Sequence, residues 1–271
     1  MKKPVGVIAL LTDVGECEPY SASIKGVILN LCLRAHIIDI SNSIPSFDIN
    51  EAAYILLTAY EFFPPGTIFI VVVVPGVGDL ERPLLIITRN YYFVGPDNGV
   101  LIPAASSDEI EEIFLLNKNE YYFNRHAQTF HGRDIYASIA ARLICGNSID
   151  SLGELIDKDN IIDMRIDFNH KILTDYMELK ILHIDKYGNI VLSEKFNRFV
   201  EDFNFVIGKQ VKVYCNEIEA IAVLEKSFSH VPKGSLILYE NSYGLLELAV
   251  NQGSAQKLLH AKQGDIVRIF E

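Results

Sequence analysis

The 271-residue sequence has no tryptophan, only four cysteines, and fewer basic than acidic residues. Its 24 Lys and Arg residues against 35 Asp and Glu residues give a formal net charge of −11 at pH 7. This charge argues against nucleic acid or an anionic membrane as the main partner. It does not oppose a cationic small molecule. No apolar segment reaches the length that crosses a bilayer, so we expect no membrane-spanning helix.

The cysteines also exclude several classes of site. Cys17, Cys32, Cys145 and Cys215 are scattered without the spacing of a metal site or a redox motif. We therefore expect no metal, and a reduced protein in the cytoplasm.

The most informative stretch is FIVVVVPGVGDLER, residues 69–82. Its six leading apolar residues favour a strand that is buried on both faces, as in a sheet covered by helices. Pro75 ends the strand, and Gly76 and Gly78 allow a tight turn or a close approach to a ligand. Ligands of open α/β sheets bind just past the carboxyl ends of such strands. An ordinary turn at the end of a strand is the alternative.

The first half of the chain alternates between strand-like and helix-like segments. This order predicts an N-terminal α/β domain at residues 1–165 with a mostly parallel central sheet. The predicted elements are strands at 5–11, 36–40, 67–74, 84–88 and 91–94 and helices at 20–34, 50–63 and 133–145. Residues 108–112 are too polar for a core, and the acidic segment 149–169 is a candidate linker.

Past residue 170 short strands follow one another with few helical stretches between them. Residues 177–184, 190–192, 210–215, 218–223, 235–239, 245–250 and 266–270 fit this pattern. Strands at this frequency predict a smaller, all-β, barrel-like C-terminal domain at residues 170–271.

Two polar positions of the first domain are candidates for chemistry. Asp13 directly follows the first strand, where its carboxylate could accept hydrogen bonds from ribose hydroxyls, although a turn or helix-cap role is also open. His131 lies beside a glycine at a helix start and could act as a base. In the same HGRD motif, Arg133 could be a structural ion-pair partner and Asp134 a helix cap.

Two loops of the second domain combine an aromatic ring with an amide, which suits a purine. The first holds Asp185, Tyr187 and Asn189. The second holds Asn241, Ser242 and Tyr243, and Glu247 and the segment 251–254 follow it. Each loop alone could equally be a hairpin turn.

The motifs LLTDVG, PGVG, GPDNGVL, HGRD, IDKYGN and ENSYGLLELAVNQGSA occur in this order. Together they resemble the S-adenosylmethionine (SAM) hydroxide adenosyltransferases, or SAM hydrolases, which are relatives of the fluorinases and chlorinases. The resemblance covers essentially the whole chain. It implies a homotrimer with substrate bound between neighbouring subunits and no cofactor besides the substrate. The implied reaction is attack of hydroxide on the ribose C5′ of SAM, which releases adenosine and L-methionine.

The resemblance also implies a role for each matching residue. His131 and Arg82 would be catalytic. Asp13 would bind the ribose, and Tyr187, Asn189 and the backbone around Asn251 and Gln252 would bind the adenine. Glu18 and Asp185 would bind the methionine amino group. Ser242 would bind the methionine carboxylate. Glu247 is counted with these binding residues because it follows the second loop.

One position departs from the pattern of this family. The hydrolases have an acidic residue immediately before PGVG, and the halogenating relatives have an aromatic one, whereas this chain has Val74. Loss of a positioned acid–base group typically costs about 10²–10⁴-fold in rate. Asp79 or Glu81 on the same loop could substitute. A binding protein for SAM or adenosine with weak or no hydrolysis is therefore the main alternative, a trimer with a vestigial site is a third, and acceptance of a halide is a minor one.

Overall fold

The computed structural model describes residues 2–76, 82–124, 129–166, 171–172, 176–202 and 205–270. The chain divides into two compact units, Met1–Ile166 and Asp167–Glu271. Within the described ranges, no helix combines the length and the apolar character needed to cross a membrane.

The first unit alternates strands with helices, as the sequence predicts. Its elements are β1 (Val7–Thr12), α1 (Tyr20–Leu31), β2 (His36–Ser41), α2 (Ile49–Ala59), β3 (Ile68–Val72), β4 (Pro83–Thr88), β5 (Tyr92–Pro96), α3 (Ile102–Ser107), β6 (Ile110–Leu115), α4 (Ala137–Ile144), α5 (Ile149–Leu152) and β7 (Glu154–Leu155). A π-helical turn, Gly132–Tyr136, directly precedes α4.

The strands form one sheet in the order β2-β1-β3-β5-β4-β6-β7. The pairs from β2 to β5 are parallel, whereas those from β5 to β7 are antiparallel. The α/β class is confirmed, but the sheet is mixed rather than mostly parallel. A short turn joins β4 to β5, and a connection this short permits only an antiparallel hairpin.

The apolar run before PGVG is a central strand, as predicted. Phe69, Ile70 and Val71 of β3 have no exposed surface. On one face Ile70 packs with residues of α1 and α4, and on the other Phe69 and Val71 pack with residues of α2 and α3. Both faces are therefore covered by helices, which accounts for the absence of polar residues from β3.

The two polar segments differ in outcome. None of residues 108–112, which were expected to be too polar for a core, is buried, although residues 110–112 begin strand β6, in which Ile113 and Phe114 are buried. The expectation of a linker at residues 149–169 is wrong. The described part of the candidate linker is packed in the first unit. Leu152 is fully buried, and β7 pairs with β6.

The second unit is a closed β-barrel, which confirms the barrel-like prediction. Its elements are β8 (Lys171–Ile172), β9 (Tyr176–Ile184), β10 (Ile190–Lys195), α6 (Phe196–Asp202), β11 (Gln210–Cys215), β12 (Ile218–Leu224), β13 (Leu236–Glu240), β14 (Leu245–Val250), α7 (Ala255–Leu259) and β15 (Ile266–Phe270). The order β10-β14-β13-β12-β11-β15-β9 closes because β9 also pairs with β10. The two short helices were not predicted.

Candidate active site in the first unit

A cavity of about 560 Å³ lies in the first unit, at the carboxyl ends of β1 and β3. The lining residues come from the ends of these strands, the start of α1, the loop before α2 and the segment before α4. They are Asp13, Val14, Tyr20, Phe47, Val72, Val74, Thr129, Phe130, His131, Gly132 and Arg133.

Parallel pairing of β1 with β3 brings two of the predicted positions together. Thr12 lies opposite Val72 in the register, and the Asp13 N–H donates to the Val72 carbonyl at 3.3 Å. The chain leaves both strands at the same edge of the sheet, so Asp13 and Val74 line one cavity. This is the arrangement expected for a ligand site of an α/β sheet.

Asp13 also fixes the loop before α2. Its Oδ2 accepts a hydrogen bond from the backbone N–H of Phe47 at 2.9 Å. Phe47 has a φ of 68°, which is uncommon for a bulky residue, and its side chain is 60% exposed. A strained aromatic residue is thus held at the cavity by a predicted ligand residue. Sequence reasoning missed Phe47 because the contact joins distant parts of the chain.

His131 is brought to the cavity by the glycine that follows it. A Cβ atom on Gly132 would lie 2.9 Å from Cγ1 of Val72, which is closer than side chains tolerate. The absence of a side chain therefore lets the start of the π-helical turn approach the end of β3. His131 lies at this start and is 92% buried, because its exposed fraction is 8%.

Arg133 lines the same cavity but is held by its neighbour. Its Nε and Nη2 atoms donate to the two carboxylate oxygens of Asp134, each at 2.7 Å. These hydrogen bonds raise the pKa of Arg133 above its ordinary value. The guanidinium also lies over the Phe130 ring, 5.3 Å from its centroid. The structural ion pair considered for the HGRD motif is therefore present.

Two predicted residues of the first unit are not brought to this cavity. Arg82 lies 2.8 Å from Oδ2 of Asp97 and donates to the Asn160 carbonyl at 2.7 Å. Glu18 is exposed. Neither belongs to the lining. Asp79 and Glu81, the acidic residues that could substitute for the missing acid, lie outside the described residues.

The cavity is apolar apart from a few polar groups. Aliphatic and aromatic side chains supply most of its wall, and among the described lining residues the carboxylate comes from Asp13. Val74 leaves the position before Pro75 without an acid, as the sequence indicates.

Candidate binding loops in the second unit

The first loop of the second unit is organised by Asp185. Its Oδ1 accepts from the N–H groups of Tyr187 at 2.8 Å and Asn189 at 2.9 Å, and its Oδ2 accepts from Nδ2 of Asn189 at 2.9 Å. The Tyr187 side chain is 66% exposed. Asp185 thus fixes the backbone that carries the exposed ring, which is the turn role that the sequence left open.

The second loop is anchored by Glu247, which is 93% buried because its exposed fraction is 7%. The Tyr239 hydroxyl donates to one of its oxygens, and Nδ2 of Asn241 donates to the other at 3.0 Å. Burial raises the pKa of Glu247, and the nearby Asp185 carboxylate raises it further. Glu247 therefore anchors the start of this loop through Asn241, while Ser242 and Tyr243 are exposed at its tip.

The segment after β14 is also held internally. Nδ2 of Asn251 donates to the carbonyls of Phe228 at 3.1 Å and Val231 at 2.9 Å. Gln252 has a φ of 55°, and the Ser254 hydroxyl accepts from the Lys257 N–H at 3.2 Å, which caps α7. A Cβ atom on Gly188 would lie 2.0 Å from the Ser254 hydroxyl, so the first loop packs directly against this segment.

The residues described in both units contain no cluster of three or more His, Cys, Asp or Glu side chains able to hold a metal ion.

The first unit is an α/β sheet with a cavity at the carboxyl ends of parallel strands, the place where α/β sheets bind ligands, and the second unit is a closed β-barrel. The sequence profile of the SAM hydroxide adenosyltransferase N-terminal domain matches residues 8–153, and that of the C-terminal domain matches residues 179–268. The chain therefore belongs to the SAM hydroxide adenosyltransferase family, as the motifs indicate.

Individual relatives are similar to this chain over nearly its full length. An (R)-S-adenosyl-L-methionine hydrolase from Methanocaldococcus jannaschii is 33% identical over 97% of this chain and 95% of its own length. The protein of the same name from Thermus thermophilus is 32% identical over 97% and 99%. A crystal structure of an uncharacterised conserved protein from Thermotoga maritima has a TM-score of 0.90 and 32% identity, and the match covers 97% of this chain and 100% of that one.

Proposed function

We propose that this protein hydrolyses S-adenosyl-L-methionine to adenosine and L-methionine. Membership of the SAM hydroxide adenosyltransferase family and the full-length relatives named as hydrolases support this reaction. The observation on this molecule that carries it is the cavity that brings Asp13 and His131 together at the end of two parallel strands.

The chemistry needs little beyond positioning. The sulfonium of SAM is already an activated leaving group, so the protein has to place a water in line with the C5′–S bond and remove its proton. His131, nearly buried at the cavity, is the proposed base. Asp13 is the proposed ligand of the ribose hydroxyls. Its carboxylate can accept about four hydrogen bonds, so the bond from Phe47 leaves capacity for a diol.

Both arginines considered for catalysis already have partners within the protein. Arg82 is engaged with Asp97 and Asn160, so action on substrate would require it to leave both partners. Arg133 lines the cavity, but its bidentate contact with Asp134 already uses two of its donors. We therefore propose His131 as the main catalytic group and keep Arg82 as a candidate only.

The roles of the remaining predicted substrate-binding residues are proposed from the resemblance to the SAM hydrolases. Tyr187 presents an exposed ring that could stack on adenine, and Ser242 is exposed where it could meet a carboxylate. The carboxylate of Asp185 and the amides of Asn189 and Asn251 are engaged within the protein. We propose that these residues, together with Gln252, hold the backbone and side chains of the loops in place. Glu18 stays a candidate ligand of the methionine amino group.

The alternative is a SAM- or adenosine-binding protein with little or no hydrolysis. Val74 favours it, because an aliphatic side chain lines the cavity where the family's hydrolases have an acid. A homotrimer with sites between subunits and a cytoplasmic location are further proposals. The first can be tested by light scattering on the purified protein.

The deciding experiment measures adenosine and methionine release by mass spectrometry from each sulfonium epimer of SAM, because the relatives are named for the (R) form. The wild type and His131→Ala are compared with a sample without protein. We expect turnover of at least one epimer by the wild type, with loss of roughly 10²-fold or more in His131→Ala.

Binding is measured in parallel, because a shift in melting temperature with SAM reports occupancy without turnover. Binding without products would establish the alternative. Neither binding nor products would leave only a trimer with a vestigial site.

A further inference from the structure

Cys32 and Cys145 lie at the C-terminal ends of two packed helices. Cys32 directly follows α1, and its N–H donates to the Ile28 carbonyl at 2.8 Å. Cys145 directly follows α4, and its N–H donates to the Ala141 carbonyl at 3.0 Å. Both residues thus cap helix ends, and residues of α1 and α4 share one apolar core.

The Cys145 side chain lies close to the backbone at Cys32. Sγ of Cys145 lies 3.7 Å from the Leu31 carbonyl oxygen, which belongs to the peptide bond that enters Cys32. The neighbouring Cys32 thiol and partial burial raise the pKa of Cys145, while the Arg34 guanidinium acts in the opposite direction. Arg34 itself donates to the carbonyl of Ile144, the residue before Cys145. Both cysteines are in the free thiol form.

We propose that Cys32 and Cys145 form a reversible disulfide, a redox modification site apart from the candidate active site. Cys145 is exposed and accessible to a hydroperoxide, whereas Cys32 is buried beside it and is placed to resolve the oxidised sulfur. Redox-sensitive sites often place an accessible thiol next to a resolving thiol in this way.

The reaction balances with a hydroperoxide as oxidant. The Cys145 thiolate attacks one oxygen of hydrogen peroxide, the O–O bond breaks, and a sulfenic acid and one water are formed. The Cys32 sulfur then attacks the Cys145 sulfur, the S–S bond forms, and the hydroxyl leaves with the Cys32 proton as a second water. The two thiols lose two electrons and two protons, and the peroxide is reduced to two waters.

A disulfide between Cys32 and Cys145 would act on the helices that line the candidate active site. Tyr20, the first residue of α1, lines the cavity, and so do His131 and Gly132 at the start of the turn that leads into α4. A disulfide would therefore join the far ends of the two helices whose near ends lie at the cavity. It would also close a long loop of the chain, which restricts the unfolded state.

The test uses the full chain, reduced and then treated with one equivalent of hydrogen peroxide. We expect the monomer to lose the mass of two hydrogen atoms, peptide mapping to join Cys32 to Cys145, and dithiothreitol to reverse both changes. The oxidised form should melt roughly 5–15 °C higher. Cys145→Ser should abolish the linkage and the shift, whereas Cys17→Ser, which removes an exposed thiol elsewhere, should retain both.

Three outcomes would overturn the proposal. These are a linkage that involves Cys17 or Cys215, oxidation of Cys145 beyond the sulfenic acid while Cys32 stays reduced, and an oxidised monomer with an unchanged melting temperature. Because Cys145 is exposed, Cys145→Ser is expected to fold even if Cys32→Ser does not, so the comparison remains decisive.

Discussion

The Asp13 carboxylate accepts a hydrogen bond from the backbone N–H of Phe47 at 2.9 Å, which joins the end of β1 to the loop before α2. The two residues face the same cavity. Asp13 therefore has two tasks, since it shapes the wall of the cavity and is the proposed ligand of a ribose.

The first prediction separates these two tasks of Asp13. Asp13→Asn keeps an oxygen that can accept from Phe47 but loses the charge, whereas Asp13→Ala loses both. Hydrogen bonds to a charged group contribute about 1.5–3 kcal/mol, so we expect adenosine to bind about 10–100-fold more weakly to Asp13→Asn. Asp13→Ala should bind still more weakly. Isothermal titration calorimetry measures both, and wild-type affinity in Asp13→Asn would remove Asp13 from the ribose site.

The second prediction concerns the valine before PGVG. Val74→Asp restores an acid at a lining position, and Val74→Asn is the matched control of similar size without a charge. If the missing acid limits hydrolysis, Val74→Asp should release adenosine about 10²–10⁴-fold faster than wild type, and Val74→Asn should not. Equal rates in the three proteins, measured at saturating SAM, would show that the family's acid is dispensable here.

The third prediction concerns the packing of the first binding loop. Gly188 has a φ of +83°, and a Cβ atom there would lie 2.0 Å from the Ser254 hydroxyl. Gly208 has a φ of +89° with no atom within 4 Å of such a Cβ, so it is a matched control. We expect Gly208→Ala to cost about 1–2 kcal/mol of strain and Gly188→Ala about 1–3 kcal/mol more. Urea unfolding compares them, and equal losses would contradict the packing.

The fourth prediction follows from the buried carboxyl of Glu247. Burial raises its pKa above the ordinary value of 4.5, so the native state binds more protons than the unfolded state between these two pKa values. The favourable contribution is complete below about pH 4.5 and is lost as the pH rises through the native pKa. Glu247→Gln does not titrate, and at every pH it has one acceptor oxygen where the carboxylate has two, one for Tyr239 and one for Asn241.

The stability of Glu247→Gln relative to wild type should therefore improve as the pH is raised from 4.5. Urea unfolding between pH 4 and pH 8 gives the comparison. Glu201→Gln, a change at an exposed position of α6, should show no such trend. A difference between Glu247→Gln and wild type that stays constant with pH would mean that this carboxyl does not titrate differently in the two states.

The sequence by itself determined the elements whose pattern is local. The run before Pro75 marked a central strand, and short strands separated by turn residues marked the barrel. It also placed Asp13 and His131 among the site candidates, because one follows a strand and the other precedes a helix. The quoted motifs placed the chain in its family, which the profile matches confirm.

Only the tertiary structure decided which residues meet. The approach of Phe47 to Asp13, of Gly132 to Val72, and of Arg82 to Asp97 joins positions that are distant in sequence, and no local pattern encodes such pairs. The antiparallel half of the first sheet and strand β6, which lies between β4 and β7, were not predicted for a related reason. Their polar residues and short turns suit a loop equally well until a partner strand buries one face.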